Sequence, residues 1–96
     1  MEKQKEVFPQ LKNIIVDKLG ITESEVTKGA SFSNDLGADS LDFVELIMEV
    51  ENEFNVRVYS EFEYALTTVG DMEKYIRNYL SDNKKNYHEF KEKLIL

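Results

Sequence analysis

Ninety-six residues with 42% hydrophobic content suit one domain built around a single modest core. A formal charge of −7 argues against nucleic acid and anionic membranes as partners, because both are recognised through positive charge that displaces counterions. With no cysteine there is no disulfide, no thiolate metal site and no side-chain thiol for covalent catalysis, so any thioester chemistry needs an imported sulfur. The stretch Met1-Glu2-Lys3-Gln4-Lys5-Glu6 has no apolar core of a signal peptide behind it, and no run approaches the ~18 apolar residues of a membrane span. A soluble, cytoplasmic, monomeric chain is expected. The charge is uneven: residues 1–80 carry 16 acidic and 8 basic side chains, residues 81–96 carry 3 and 4. The body should therefore favour basic protein surfaces, and the last segment differs from it in kind.

In the first segment Val7, Phe8, Leu11, Ile14, Ile15 and Leu19 share one face at helical spacing. Pro9 is tolerated only in a first turn, which puts the helix start near residue 7 or at Pro9 itself. Gly20 suits the residue just past the helix end, with Ile21 as the apolar contact of a Schellman ending. Residues 20–39 form a long connection, and connections of that length are functional or internally structured. Thr22-Glu23-Ser24-Glu25 fits a capping box around one short turn, and Val26, Phe32 and Leu36 are spaced to anchor the loop on the core.

Leu36-Gly37-Ala38-Asp39-Ser40-Leu41 then leads into the longest amphipathic helix, Ser40 to Phe54. Gly37 permits a backbone turn with positive φ, Asp39 is a good N-cap, and Asp42 can return the cap from three residues on. Ser40 falls at the first helical position with its hydroxyl outward. On a helical wheel Phe43, Leu46, Ile47, Val50 and Phe54 form a stripe about 100° wide, fit for core packing. Leu41, Val44 and Met48 form a second, narrower row, bracketed by Glu45, Glu51 and Asn52. One row cannot face the same core as the other, so either a further helix covers the second row or it is an exposed docking ridge.

Val56-Arg57-Val58-Tyr59 alternates like a strand but has no pairing partner, and reads as an extended connector. Ser60 to Leu66 suits one or two helical turns. Thr68 can cap the last body helix and Asp71 can answer it, with Val69, Met72, Tyr75, Ile76, Tyr79 and Leu80 on one face. The pattern predicts an all-α fold: a small four-helix bundle with three longer helices and one short one in a domain of residues 1–80. A C-terminal extension follows at 81–96. There Asn86 and Glu89 give a capping signal, and Tyr87, Phe90 and Leu94 recur at i, i+3, i+7, as in an extra helix.

Enzymatic readings fail on chemistry. The single histidine, His88, lies in the extension, and the Ser40 context lacks the Gly-x-Ser-x-Gly spacing of a nucleophile elbow. An EF-hand begun at Asp35 would need Gly where Ser40 stands and Glu where Leu46 stands, so neither catalytic nor metal-ligating residues are expected.

The string Asp35-Leu36-Gly37-Ala38-Asp39-Ser40-Leu41-Asp42, with Val44-Glu45-Leu46 behind it, resembles the 4'-phosphopantetheine attachment site of the acyl carrier proteins, and the likeness runs from about Val7 to Leu80. That resemblance implies a non-enzymatic carrier. A transferase would attach phosphopantetheine to the Ser40 hydroxyl, with Asp39 and Leu41 beside it, and acyl groups would ride on the arm between enzymes of fatty-acid or related lipid synthesis. It also implies a partner-binding face made of Asp39, Leu41, Asp42, Val44, Glu45, Met48 and Glu51. The expected partners are the phosphopantetheinyl transferase and acyl-transfer, condensing and reducing enzymes with basic patches. Two alternatives stay open: a carrier of polyketide, lipid-like or amino-acyl cargo in a specialised pathway, and an acidic helical interaction module never modified at Ser40.

In the family the cargo can fold into the bundle, with Phe43, Ile47, Phe54, Phe62, Tyr64, Leu66 and Met72 as candidate lining here. The chain departs from the common pattern in three ways. Phe43 replaces a residue usually small or polar, Tyr59 stands where proline is frequent, and Phe62 and Tyr64 make the short helix more aromatic.

Overall fold

The computed structural model describes residues 7–81. Four α-helices fill it: α1 (Val7–Leu19), α2 (Ser40–Phe54), α3 (Ser60–Glu63) and α4 (residues 69–81), with a 3₁₀ turn at Glu23–Glu25 between the first two. This is the predicted four-helix arrangement, three longer helices and one short. The expected extra helix and His88 fall in residues 82–96, which lie outside the described residues, and α4 runs one residue past the expected domain end at 80.

Helix α1 begins at Val7 and carries Pro9 in its first turn, where no backbone donor is lost. It ends with Gly20 N–H donating to the Val16 carbonyl at 2.9 Å, a single-bond left-handed cap rather than the expected Schellman pair. Val7, Leu11, Ile14 and Ile15 bury their side chains against Leu46, Ile47, Val50 and Phe54 of α2 and against Val69, Met72 and Ile76 of α4 in one core. Each such side chain withdrawn from water contributes about 1.5–3 kcal/mol, which makes this face the main source of stability.

The loop from Gly20 to Asp39 is ordered by the anchors its spacing predicts: Val26, Phe32 and Leu36 are all buried. Backbone bonds then sew it to the start of α4. Phe32 N–H donates to Thr67 O at 3.0 Å, Val69 N–H to Ala30 O at 3.0 Å, and Gly70 N–H to Lys28 O at 2.8 Å. These produce the one isolated antiparallel bridge among the described residues, Ser31 with Thr68. Gly70 permits the approach: a β-carbon there would sit 2.9 Å from the Lys28 carbonyl oxygen. Glycine inside a helical turn costs about 1 kcal/mol relative to alanine, and here the close crossing explains its presence.

A second tie lies beside the first. Glu73 is only 5% exposed, yet it carries a carboxylate on the face shared by Val69, Met72 and Ile76. Its Oε2 accepts from Arg77 Nε at 2.9 Å, and its Oε1 faces Lys28 Nζ of the loop at 3.6 Å. The Lys28 and Lys12 ammonium groups each lie 5.3 Å from the centre of the Phe8 ring, so a cation–π pair extends the tie to α1.

The connector after α2 is extended, as expected, with Val56 and Val58 turned inward. Asn55 takes the left-handed conformation and donates its N–H to Glu51 O, and Val58 N–H donates to Glu51 Oε2 at 2.8 Å. Tyr75 of α4 donates its hydroxyl to Arg57 O at 2.8 Å and sets its ring 6.1 Å from that of Phe62.

Thr68 and Asp71 form the predicted reciprocal cap of α4: Asp71 N–H donates to Thr68 Oγ1 and Thr68 N–H to Asp71 Oδ2, both at 3.1 Å. Thr67 adds its N–H and its hydroxyl to the same oxygen, at 3.1 and 2.9 Å. Partial burial works to raise the Asp71 pKa, but hydrogen bonds from the Thr68 backbone and from both threonines outweigh it and hold the carboxyl below its ordinary value.

Two expectations follow. In Gly70→Ala the loop or the helix must move, so urea denaturation should show a loss of about 1–3 kcal/mol, although alanine is the better helix former. The lowered Asp71 pKa means its charged form stabilises the fold above the ordinary aspartate range near pH ~4 and loses that contribution as pH falls through the depressed value. The stability advantage of wild type over Asp71→Ala, read from thermal melts between about pH 7 and pH 3, should shrink towards the acid end.

Candidate functional site

Ser40 stands at the exposed start of α2, where the loop tied to α4 delivers it. The delivery is built from short local bonds. Ser31 N–H donates to Asp35 Oδ2 at 2.7 Å, the Asp35 and Leu36 amides both return to Ser31 O at 3.0 Å, and Ala38 N–H donates to Phe32 O at 2.8 Å. Leu36 and Ala38 are buried between these turns. Gly37 lies between them at φ +72°, a conformation that a residue with a β-carbon adopts only at a cost of about 1–2 kcal/mol. Asp35 is a residue whose role the sequence reading left open: it holds the turn rather than facing a ligand.

The predicted cap forms in full. Asp42 N–H donates to Asp39 Oδ1 at 2.8 Å and Asp39 N–H to Asp42 Oδ2 at 3.2 Å. Ser40 takes no part in it, so its hydroxyl is left for other chemistry. The first backbone bond of the helix runs from Phe43 N–H to Asp39 O at 2.9 Å, which leaves the Ser40 and Leu41 amides pointing out of the helix start. Such amides favour an anion through their own donors and through the helix dipole, while the two aspartates add negative charge on either side. This setting suits an esterified phosphate that is tolerated but not gripped.

Below Ser40, Phe43 is half-buried and packs its ring 5.3 Å from that of Phe32. The second apolar row runs beside it in the open. Leu41 is 66% exposed, Val44 47% and Met48 56%, so no neighbouring helix among the described residues covers them. Among the described residues the row is therefore an exposed ridge, with no helix packed over it. Among the described residues, no lysine or arginine forms an ion pair with Asp39, Asp42 or Glu45 around this row. Two other acidic groups of α2 are engaged. Glu49 meets Lys18 of α1 at 3.8 Å, and Glu51 holds the Val58 amide, so Glu51 serves the connector as well as bordering the ridge.

One candidate for the cargo lining is corrected. Tyr64 is 82% exposed at the end of α3 and does not line the interior, because α3 is only four residues long and its exit turns that side chain to solvent. Ile47, Phe54, Leu66 and Met72 are buried, and Phe43 and Phe62 are half-buried.

Comparison with known proteins agrees with this geometry. The profile of the family described as the phosphopantetheine attachment site matches residues 9–76. An acyl carrier protein of Karelsulcia muelleri (strain GWSS) is 49% identical over 79 residues, spanning 82% of this chain and 95% of that protein. The solved acyl carrier protein from Enterococcus faecalis superposes with a TM-score of 0.68 at 31% identity, covering 78% of this chain and 95% of that one. No helix among the described residues is long and apolar enough to cross a membrane. With residues 9–76 matched by that family and most of its length and its fold shared with these proteins, the chain belongs to the acyl carrier proteins, which are carriers bearing covalently bound 4'-phosphopantetheine.

Proposed function

We propose that Ser40 is the attachment point of the 4'-phosphopantetheine arm, and that the chain shuttles acyl groups between cytoplasmic enzymes of fatty-acid or related lipid synthesis. The observation that carries this reading is an exposed serine at the first position of α2, excluded from the cap by the Asp39–Asp42 pair. The arm supplies the thiol that a cysteine-free chain lacks, and acyl groups are held on it as thioesters. The protein's own residues do the rest. Within the transferase, Ser40 Oγ gives up its proton and would take the place of the adenosine-side oxygen in the pyrophosphate of coenzyme A, becoming the ester oxygen of a phosphodiester as adenosine 3',5'-bisphosphate leaves. The amides of Ser40 and Leu41 face that phosphate, and the carboxylates of Asp39 and Asp42 oppose a tight hold on it, which keeps the arm free to move.

The ridge beside Ser40 is the docking face. Leu41, Val44 and Met48 offer apolar contact, and Asp39, Asp42, Glu45 and Glu51 edge it with negative charge. Rim charges of this kind add at most ~1 kcal/mol each to affinity but raise encounter rates with basic surfaces, which suits a shuttle that must bind and leave quickly. The phosphopantetheinyl transferase is the first partner, followed by acyl-transfer, condensing and reducing enzymes. No catalytic group on this chain is assigned to any of those steps.

Incubation with coenzyme A, Mg²⁺ and a phosphopantetheinyl transferase should raise the intact mass of wild type by one phosphopantetheine group and leave Ser40→Ala unchanged. No gain on wild type, or an equal gain on the variant, overturns the assignment and leaves the unmodified interaction module as the better reading. Docking should be salt-sensitive: the association rate with the transferase is expected to fall at least about threefold between ~0.01 M and ~0.1 M salt, as the Debye length shrinks from ~30 to ~10 Å. A rate that does not respond to salt refutes electrostatic steering.

A further inference from the structure

One cation interrupts an acidic surface. Between Lys28 and Lys74 the sequence holds a single basic residue, Arg57, set among the carboxylates of α2 and α3. Among the described residues it pairs with none of them, since the ion pairs there belong to Lys18, Lys28 and Arg77. Glu51 is close in sequence, but it turns its Oε2 to the Val58 amide at 2.8 Å instead. The Arg57 guanidinium is thus left for a group from outside.

Its backbone is held on every side. Val56 and Val58 are buried, so the alternation of the extended connector sends the Arg57 side chain outward, where it is exposed. Its carbonyl accepts the Tyr75 hydroxyl at 2.8 Å, which ties the connector to α4. With Glu51, Asn52, Tyr59 and Ser60, Arg57 lines a hollow of about 460 Å³ between the last turns of α2 and the start of α3. Glu51 and Asn52 also bracket the Leu41–Val44–Met48 row, so the hollow continues the ridge at the end of α2 away from Ser40.

We propose that Arg57 is a specificity-determining contact of the docking face: the partner it selects sets a basic patch against Asp39, Asp42 and Glu45 and carries within that patch one carboxylate that enters the hollow and pairs with the Arg57 guanidinium. A guanidinium takes a carboxylate through two parallel N–H donors, and the Asn52 amide and Ser60 hydroxyl offer further donors beside it. A partner surface that is basic throughout meets Arg57 with a like charge and is disfavoured, because a misplaced charge discriminates between partners more than a rim attraction adds affinity. The acidic rim alone would treat such surfaces alike. The proposal rests on the docking role assigned to the ridge, and the transferase is the first partner to which it applies.

Equilibrium binding to the phosphopantetheinyl transferase tests the contact on the full chain carrying Ser40→Ala, without coenzyme A so that no phosphate can take the carboxylate's place. Arg57→Glu makes an acidic chain more acidic by two charges, so steering alone predicts tighter binding to a basic surface. The proposal predicts the opposite sign: Arg57→Glu should bind at least about threefold more weakly, and Arg57→Lys should recover part of the loss. One Asp→Lys or Glu→Lys substitution in the transferase patch should restore binding of Arg57→Glu and weaken binding of the chain that keeps Arg57, a rescue that a folding defect cannot produce. Binding of Arg57→Glu that is as tight as that of Arg57, or the failure of every single charge swap to restore it, overturns the proposal. A wild-type chain that gains mass while Arg57→Glu binds no worse loses only this inference. One that gains no mass while Arg57→Glu weakens binding loses only the carrier reading, so the two failures are distinguishable.

Discussion

The crossing of the long loop over the first turn of α4 is the constraint on which the rest of the structure depends. Lys28, Ala30 and Phe32 exchange backbone bonds with Gly70, Val69 and Thr67 within three or four residues, and Gly70 leaves no room for a side chain between the two segments. A loop of this length would otherwise retain much of its conformational entropy, at about 1–2 kcal/mol per residue when fixed. The crossing and the burial of Val26, Phe32 and Leu36 together hold the chain so that the Ser31–Asp35 turn, Gly37 and Asp39 arrive at the head of α2 in one geometry. Glu73 reinforces the same junction from the other side, through a carboxylate buried on the core face and held by Arg77 and Lys28. Charges in such places contribute to stability only when their partners are well placed, and removing one partner costs more than the pair returns.

The head of α2 resolves a conflict between two demands. A helix start attracts anions, and a carrier arm must remain free. The Asp39–Asp42 pair meets both by satisfying two of the helix's open amides itself and by surrounding Ser40 with negative charge. The same carboxylates continue along the helix as the rim of the exposed ridge, so one electrostatic pattern would serve both the proposed modification site and the proposed docking face. The aromatic pair Phe32–Phe43 closes the floor beneath them. Below that floor the interior is set by buried aliphatic residues, while the aromatic character of α3 is spent partly on the Phe62–Tyr75 contact and partly on the solvent-exposed Tyr64.

Helix boundaries and caps were legible because they rest on local rules. Ser40–Phe54 follows from a cap, a counter-cap and an apolar period, and the Thr68–Asp71 box announces α4 in the same way. The core stripe of α2 was readable from spacing, since a face about 100° wide has only one use in a small bundle. Glu73 was missed, although an acidic residue at an i+4 position of an apolar stripe, with Arg77 four residues on, was a signal that could have found it. Gly70 left a similar trace, as glycine in a helical turn. The second role of Glu51 left none, because it depends on where Val58 returns after α2.

By itself the sequence determined the helical architecture, the capped turn that exposes Ser40 and the division of α2 into two apolar rows, because each depends on residues within a few positions of one another. Only the tertiary structure decided which row stays open, that Tyr64 faces solvent, and how the long loop is tied down. Those outcomes depend on which distant segments meet. Whether Leu41, Val44 and Met48 are bare is a property of what packs beside α2, and the crossing at Gly70 joins residues some forty positions apart.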